Sequence, residues 1–295
     1  MSDLWPALPL NEWKDTYATL HMWTQIVGKV RLKKTPPWNH WWNVTLYVST
    51  RGLTTSKIPS ENGSFEIEFD FIEHKLLIHI SNGQTKVLEL KPRSVADFYM
   101  ELMATLKVSG IDVKIRAIPD EVADPIPFAK DEIHKSYDPE YANRLFRILL
   151  QIDKVFKEFQ SKFIGKSSPV HFFWGSFDLA VTRFSGKRAP KREGADTLTR
   201  EAYSHEVISA GWWPGGGVVQ APAFYCYAAP APGGLDQARV RPASAYYNKE
   251  MGEFLLLYDE VREARSPENV IHEFVQSTYE AGANLAGWDR SSLER

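Results

Sequence analysis

Apolar and polar positions repeat along the first half of the chain in patterns typical of helices and antiparallel strands. Helical spacing over residues 11–30 predicts an amphipathic helix with Asn11 as its N-cap. Strict alternation over residues 65–71 predicts a strand with one buried face, and Asn82-Gly83 is a strong hairpin signal. Ser94 begins a second predicted helix that stops at Gly110. Further strands are predicted at residues 41–49, 76–80, 86–90 and 111–118.

The second half repeats this plan after an irregular stretch rich in proline and acidic residues. Asp138-Pro139 and Ser266-Pro267 predict the starts of two helices. Strands are predicted between them at residues 170–186, 203–213, 218–227 and 253–258. We therefore predict an α+β fold of two similar halves, each a mainly antiparallel sheet flanked by helices. The predicted parts are an N-terminal half (1–118), a linker (119–137) and a C-terminal half (138–295).

A shared Thr-Arg pair at the end of a strand in each half suggests an internal duplication. Residues 43–52 can be aligned with residues 177–186, and each segment is followed by a proline, Pro59 or Pro190. The alignment is short, and antiparallel strands often share composition. Convergent composition of two unrelated sheets is therefore the alternative explanation.

The stretch 170–186 joins a long apolar run to His171, Asp178 and Arg183. Its aromatic and β-branched residues predict one long central strand, or two strands joined at a bulge. Burying an unpaired charge costs several kcal/mol. We therefore expect Asp178 and Arg183 to be buried with hydrogen-bonding partners, and a pair between the two is the purely structural explanation of both.

Composition and charge exclude several classes of function. The chain has 35 Lys and Arg against 37 Asp and Glu, and its net charge of −2 comes with no basic block. This pattern argues against nucleic acid and anionic membranes as partners. A single cysteine, no secretory signal and no apolar run approaching about 18 residues favour a cytoplasmic protein. No phosphate-binding or dinucleotide-binding glycine motif is present, so no cofactor is predicted.

The aromatic residues carry the main functional hypothesis. Ten Trp, 12 Tyr and 16 Phe include Trp212-Trp213 before a glycine-rich turn, and Tyr225 and Tyr227 on the next predicted strand. Neighbouring strands could bring these residues to Arg183 and His171 and form an aromatic pocket with a cationic floor. We expect such a pocket to bind a small anionic or ring-bearing ligand. The candidate ligand-binding residues are His171, Asp178, Arg183, His205, Trp212, Trp213, Tyr225 and Tyr227.

Two other classes of function remain open. A hydrolase-type enzyme could use His and Asp of the same pocket, and a homodimer could bury exposed Trp residues at its interface. The best metal-ligating set would be His171, Asp178, His205 and Glu206, but its spacing matches no metal motif, so no metal is predicted. Ser176 does not complete a Gly-x-Ser-x-Gly elbow, and Cys226 lies in an apolar strand, so no catalytic residue is assigned.

Several short motifs are distributed over the chain. They are Trp5-Pro-x-Leu-Pro9 with Trp13, Arg51-Gly-Leu-Thr54, the run from Phe173 to Gly186, Trp213-Pro-Gly215, Phe224-Tyr225 and Trp288-Asp289. Together they resemble an uncharacterised bacterial family of unknown function. The resemblance covers nearly the whole chain and implies a full-length unit, but it carries over no activity, cofactor or catalytic residue.

Overall fold

A computed structural model describes residues 4–295. The α-helices are α1 (Leu10–Lys34), α2 (Val95–Val108), α3 (Pro139–Ser161), α4 (Thr197–Ala202), α5 (Tyr258–Arg262), α6 (Pro267–Leu285) and α7 (Arg290–Leu293). The strands of the first half are β1 (Tyr47–Val48), β2 (Gly52–Thr54), β3 (Ile58–Ser60), β4 (Gly63–Asp70), β5 (Lys75–Ile80) and β6 (Thr85–Glu89). Those of the second half are β7 (His171–Phe173), β8 (Asp178–Arg188), β9 (His205–Trp213), β10 (Ala223–Ala229), β11 (Tyr246–Asn248) and β12 (Glu253–Leu257).

The strands form two antiparallel sheets of six strands each. The first sheet has the order β1-β2-β4-β5-β6 with β3 paired to β4, and the second has the order β11-β12-β10-β9-β8-β7. Each half begins with a long helix, α1 or α3, and α2 or α6 follows its sheet. The predicted α+β fold of two similar halves is confirmed, whereas the internal duplication stays a prediction.

The first strands of the two sheets meet at a seam. Leu46 and Phe172 exchange both backbone hydrogen bonds, at 2.9 and 2.8 Å. Beside the seam, the Trp174 indole donates to the Val44 carbonyl at 2.7 Å. Gly28 of α1 lies so close to this indole that a Cβ there would be 2.3 Å from the ring. The largest apolar cluster of the described chain contains residues of both halves.

Local capping signals correctly located two helix starts. The Ser94 hydroxyl accepts from the Asp97 amide at 3.1 Å, and the Asp138 carboxylate accepts from the Glu140 amide at 2.9 Å. The hairpin predicted at Asn82-Gly83 joins β5 to β6, with Gly83 at a φ of 90°.

Two predicted strands differ from the structure. Residues 41–49 form a strand only at β1, after a short 3-10 helix (Asn39–Trp41). Residues 111–118 form no strand, although Ile111 and Ile115 are buried. Their apolar side chains join the core while the backbone pairs with no strand of the first sheet, so apolar content alone was misleading.

The segment predicted as a linker is anchored to α1 at its beginning. Gln25 exchanges two hydrogen bonds of 2.8 Å with the backbone of Asp120, and Lys29 forms an ion pair with the Asp120 carboxylate. The next residue, Glu121, has a φ of 55°, in the left-handed region that side-chain-bearing residues rarely adopt. Residues 120 and 121 therefore have a defined position beside the second sheet.

The stretch 170–186 is neither one long strand nor two strands joined at a bulge. It is a hairpin in which β7 pairs with β8, with Phe173 opposite Asp178 and a tight turn at residues 174–177. Phe177 in this turn has a φ of 58°. The turn changes the phase of alternation, so that His171 and Asp178 lie on the same face of the sheet.

Candidate functional site

One face of the second sheet packs on α3 and α6, and the opposite face lines a cavity of about 580 Å³. Strand alternation decides which side chains reach the cavity. From the strands these are Phe173, Asp178, Ala180, Thr182, Phe184, Val207, Ser209, Trp213, Tyr225, Tyr227 and Glu253. Loops and α4 add further walls, among them His40, Trp42, Glu121, Ser176, Tyr203 and Met251.

A glycine in β9 makes room for the central tyrosine of the cavity. Tyr225 lies directly opposite Gly211 in the sheet, and a Cβ at Gly211 would be 2.3 Å from the tyrosine ring and hydroxyl. The tyrosine therefore lies across β9, and its hydroxyl donates a hydrogen bond to the Asp178 carboxylate on β8. Tyr227 stacks beside it, with ring centroids 6.1 Å apart.

Asp178 is the most unusual polar group of the cavity. Its side chain is 6% exposed, and its side-chain hydrogen bonds within residues 4–295 come from two hydroxyls, those of Ser176 and Tyr225. Burial raises the pKa of this carboxyl, and the two hydroxyls oppose the rise only in part. The chain thus places a carboxyl in a low-dielectric site beside neutral partners.

Two more carboxyls lie near Asp178. Burial, with a further contribution from the Asp178 charge, raises the pKa of Glu253 to about 7. Burial also raises the pKa of Glu121, with the charges of Asp178 and Asp120 acting in the same direction. We call Asp178, Glu253 and Glu121 the acidic end of the cavity. The cavity lining found in the described chain contains no Lys or Arg.

Basic groups lie beside the other end of the cavity, where His40 is a lining residue and Lys166 and His205 are its neighbours. The Lys166 ammonium donates to Nε2 of His40 at 2.6 Å, and Nδ1 of His40 donates to the Ala202 carbonyl at 3.1 Å. The ring of His205 lies 5.6 Å from that of His40. We call His40, Lys166 and His205 the basic end.

The chain matches one known protein family over almost its whole length. A family of unknown function, DUF5996, matches residues 5–295. The chain belongs to this family. Neither a functionally curated protein nor a solved structure gave a significant match.

In this DUF5996 protein, half of the candidate residues named from the sequence line the cavity. They are Asp178, Trp213, Tyr225 and Tyr227. His205 stands beside His40 at the basic end. His171 faces the same side of the sheet but lies behind the wall formed by Trp42 and Phe173, with its ring 5.8 and 5.7 Å from theirs.

His171 does not line the cavity, and within residues 4–295 it has no hydrogen-bonding partner. It is 0% exposed, and neither ring nitrogen is bonded within the described chain. Burial lowers the pKa of the ring to about 3, and the nearby Arg31 charge acts in the same direction. A neutral imidazole behind the wall is therefore not placed to act on a bound molecule.

Arg183 and Trp212 lie on the opposite face of the sheet, so the predicted cationic floor is wrong. The Arg183 guanidinium stands 3.4 and 4.3 Å from the ring centroids of Phe159 and Tyr279, and it donates to the Phe159 carbonyl. Burial lowers its pKa to about 10. Asp178 and Arg183 are both buried with partners, as expected, but strand alternation separates them and they do not pair.

Sequence reasoning missed several cavity residues. The sequence contains a signal that could have identified Glu253, because it is a lone acidic residue at the start of the apolar strand β12. Glu121 and His40 had none, since both reach the cavity from irregular segments far away in the chain.

Other chemistry considered from the sequence has less support in the structure. The described residues contain no group of three or more His, Cys, Asp or Glu that could hold a metal ion. Cys226 is buried, and burial raises the pKa of its thiol to about 12. Over residues 4–295, no helix combines the length and apolar character needed to cross a bilayer.

Proposed function

We propose that this protein binds a small organic cation with an apolar or ring-bearing body in the cavity of the second sheet. The observation that carries the proposal is the acidic end, where Asp178, Glu253 and Glu121 line one cavity whose lining, over residues 4–295, contains no Lys or Arg. A buried carboxyl with no cation nearby is unfavourable in its ionised form. A ligand ammonium group would supply the missing charge and form charge-assisted hydrogen bonds with it.

The aromatic walls suit the same ligand. Trp213 and Tyr225 lie with ring centroids 5.8 Å apart, and Tyr227 extends this surface through its stacking on Tyr225. Aromatic faces attract cations and bury apolar bodies, and each such contact contributes about 0.5–2 kcal/mol. The sequence-based hypothesis of a ring-bearing ligand is retained, and the anionic alternative is set aside because Arg183 lies on the other face of the sheet.

A second candidate function is acid–base catalysis, favoured by one specific observation. Glu253 has a pKa of about 7 beside a second buried carboxyl, and a carboxyl of this kind can donate or accept a proton near neutral pH. A hydrolase-type enzyme would then use Glu253 and Asp178, since His171 is walled off. In that case Glu253→Gln would abolish turnover while leaving substrate binding measurable.

The binding proposal can be tested with three probes that share one ring. Tyramine carries an ammonium group, 3-(4-hydroxyphenyl)propanoate a carboxylate, and 4-ethylphenol no charge. At a hundredfold excess over its Kd, a bound ligand stabilises the folded state by about 2.7 kcal/mol. For a chain of this size the Tm rises by roughly 5 °C. We expect this rise with tyramine alone.

Matched variants test whether the tyramine-induced Tm shift depends on the acidic end of the cavity. Asp178→Asn keeps the shape of the side chain and removes its charge, so it should abolish the shift, whereas Asp112→Asn at an exposed position should retain it. An equal shift with 4-ethylphenol or with the propanoate would contradict the proposal, as would a tyramine shift that survives both Asp178→Asn and Glu253→Gln.

A further inference from the structure

We infer that the ligand is an elongated zwitterion, with its ammonium group at the acidic end and an anionic group at the basic end, where it contacts Lys166. This inference rests on the proposed function and specifies the ligand class. It follows from the placement of the acidic end at Asp178, where β8 starts, and of the Lys166 ammonium beside Phe184, farther along the same strand.

The hydrogen bonds of His40 identify Lys166 as the charged group of the basic end. A carbonyl only accepts, so the 3.1 Å contact with the Ala202 carbonyl requires a proton on Nδ1 of His40. Nε2 then accepts from the Lys166 ammonium at 2.6 Å. His40 is neutral and 6% exposed, and its φ of 57° is rare for a residue with a side chain.

Lys166 is an exposed residue just outside the cavity lining, next to two of the lining rings. The Phe184 amide donates to the Lys166 carbonyl at 3.0 Å, which holds the lysine beside the end of β8. Its nitrogen is 4.8 Å from the ring centroid of Phe184 and 5.4 Å from that of Trp42, and both rings line the cavity. A ligand that extends beyond these two rings would therefore bring its anionic group to the ammonium.

No carboxylate of the described chain forms an ion pair with Lys166. Its one side-chain partner within residues 4–295 is His40, so two of its three donors are available. The nearest acidic residue in sequence to His205 is Glu206, which alternation directs to the other face and which accepts from Ser185 at 2.7 Å. Burial lowers the pKa of His205, and the charges of Lys166 and Arg188 act in the same direction, so Lys166 is the charged group next to this ring.

The spacing of the two ends sets the ligand length. Six residue steps of about 3.3 Å separate Asp178 from Phe184 along β8, so the charged ends lie on the order of 15–20 Å apart. The floor between them consists of small side chains, those of Ala180, Thr182 and Ser209. A slender molecule can lie along this floor, whereas a short amino acid cannot reach both ends.

Four probes separate the roles of charge and length. They are 12-aminododecanoate, its methyl ester, 12-hydroxydodecanoate and the short 6-aminohexanoate, measured by titration calorimetry at low salt with the full chain. We expect 12-aminododecanoate to bind about tenfold more tightly than its ester, because the ester lacks the anionic group. Lys166→Met should remove this advantage and leave the affinity of the ester unchanged. Lys191→Met, which deletes one charge at an exposed position, should retain the advantage.

The outcomes distinguish this inference from the proposed function. Equal affinity of the amino acid and its ester for the wild-type protein would overturn the zwitterion and leave the cation-binding proposal intact. A loss of 6-aminohexanoate affinity on Lys166→Met as large as the loss for 12-aminododecanoate would overturn the assigned span. Binding of 12-hydroxydodecanoate alone, or of none of the four at millimolar concentration, would contradict both proposals.

Discussion

Glu253→Gln should make the stability of the protein less dependent on pH. In the folded state burial and the Asp178 charge raise the pKa of the Glu253 carboxyl from 4.5 to about 7. The folded state therefore holds this proton more tightly than the unfolded state does. Its contribution to stability is fully present below pH 4.5 and is lost as the pH rises through about 7.

The size of the pKa shift sets the expected change in the free energy of unfolding. A rise of this size corresponds to about 3 kcal/mol at 1.36 kcal/mol for each pKa unit. Glu253 is partly exposed, so solvent screening reduces the expected loss of stability to about 1–2 kcal/mol between pH 5 and pH 8. Glutamine has nearly the same shape and does not titrate, so the variant lacks this loss.

Urea denaturation at pH 5 and pH 8 measures the effect directly. The free energy of unfolding of the wild type should fall between the two pH values by about 1–2 kcal/mol more than that of Glu253→Gln. Glu250→Gln, in the exposed turn before β12, serves as the control and should behave like the wild type. Parallel pH profiles of wild type and Glu253→Gln would refute the assignment of Glu253 as a half-buried carboxyl with a raised pKa. Wild-type tyramine affinity should rise over the same interval, because the ammonium group requires the ionised carboxylate.

Three further substitutions test the architecture of the site. Gly211→Ala should displace the Tyr225 ring and cost about 1–3 kcal/mol of stability, together with most of the tyramine-induced Tm shift; an unchanged shift would mean that the ring is not needed for binding. Arg183→Ala should lower the free energy of unfolding by about 3 kcal/mol through lost packing on Phe159, while the tyramine Kd measured by calorimetry stays unchanged. An increase in this Kd would indicate that Arg183 contributes to binding. His171→Phe replaces two unbonded ring nitrogens by an apolar ring and should raise the unfolding free energy by about 1–2 kcal/mol in urea titrations; a loss of stability would indicate an unseen partner for the imidazole.

The sequence alone predicted those elements whose signals are local. Ser94 and Asp138 cap helices through their own side chains, and Asn82-Gly83 turns a hairpin, whatever the rest of the chain does. Alternation in β4 likewise needs only one buried face. Because each signal depends on near neighbours, the α+β class and its two halves could be derived before any contact was known.

The composition of the cavity depended on one turn that local patterns do not reveal. At residues 174–177 the chain reverses with Phe177 in the left-handed region, where a bulky aromatic residue gives no turn signal. The resulting change of phase places His171 on the same face as Asp178, and the alternation of β8 then leaves Arg183 on the other. Unbroken alternation over the whole stretch would instead have separated His171 from Asp178.

Only the tertiary structure brings together the residues that form the two ends of the cavity. Glu121 comes from the predicted linker and His40 from a turn before the first sheet, and both meet the second sheet from far away in the chain. Their positions depend on contacts such as that of Gln25 with Asp120, which joins residues 95 positions apart. No periodicity in the sequence encodes such contacts, because each of them joins segments that are far apart in the chain and meet only on folding.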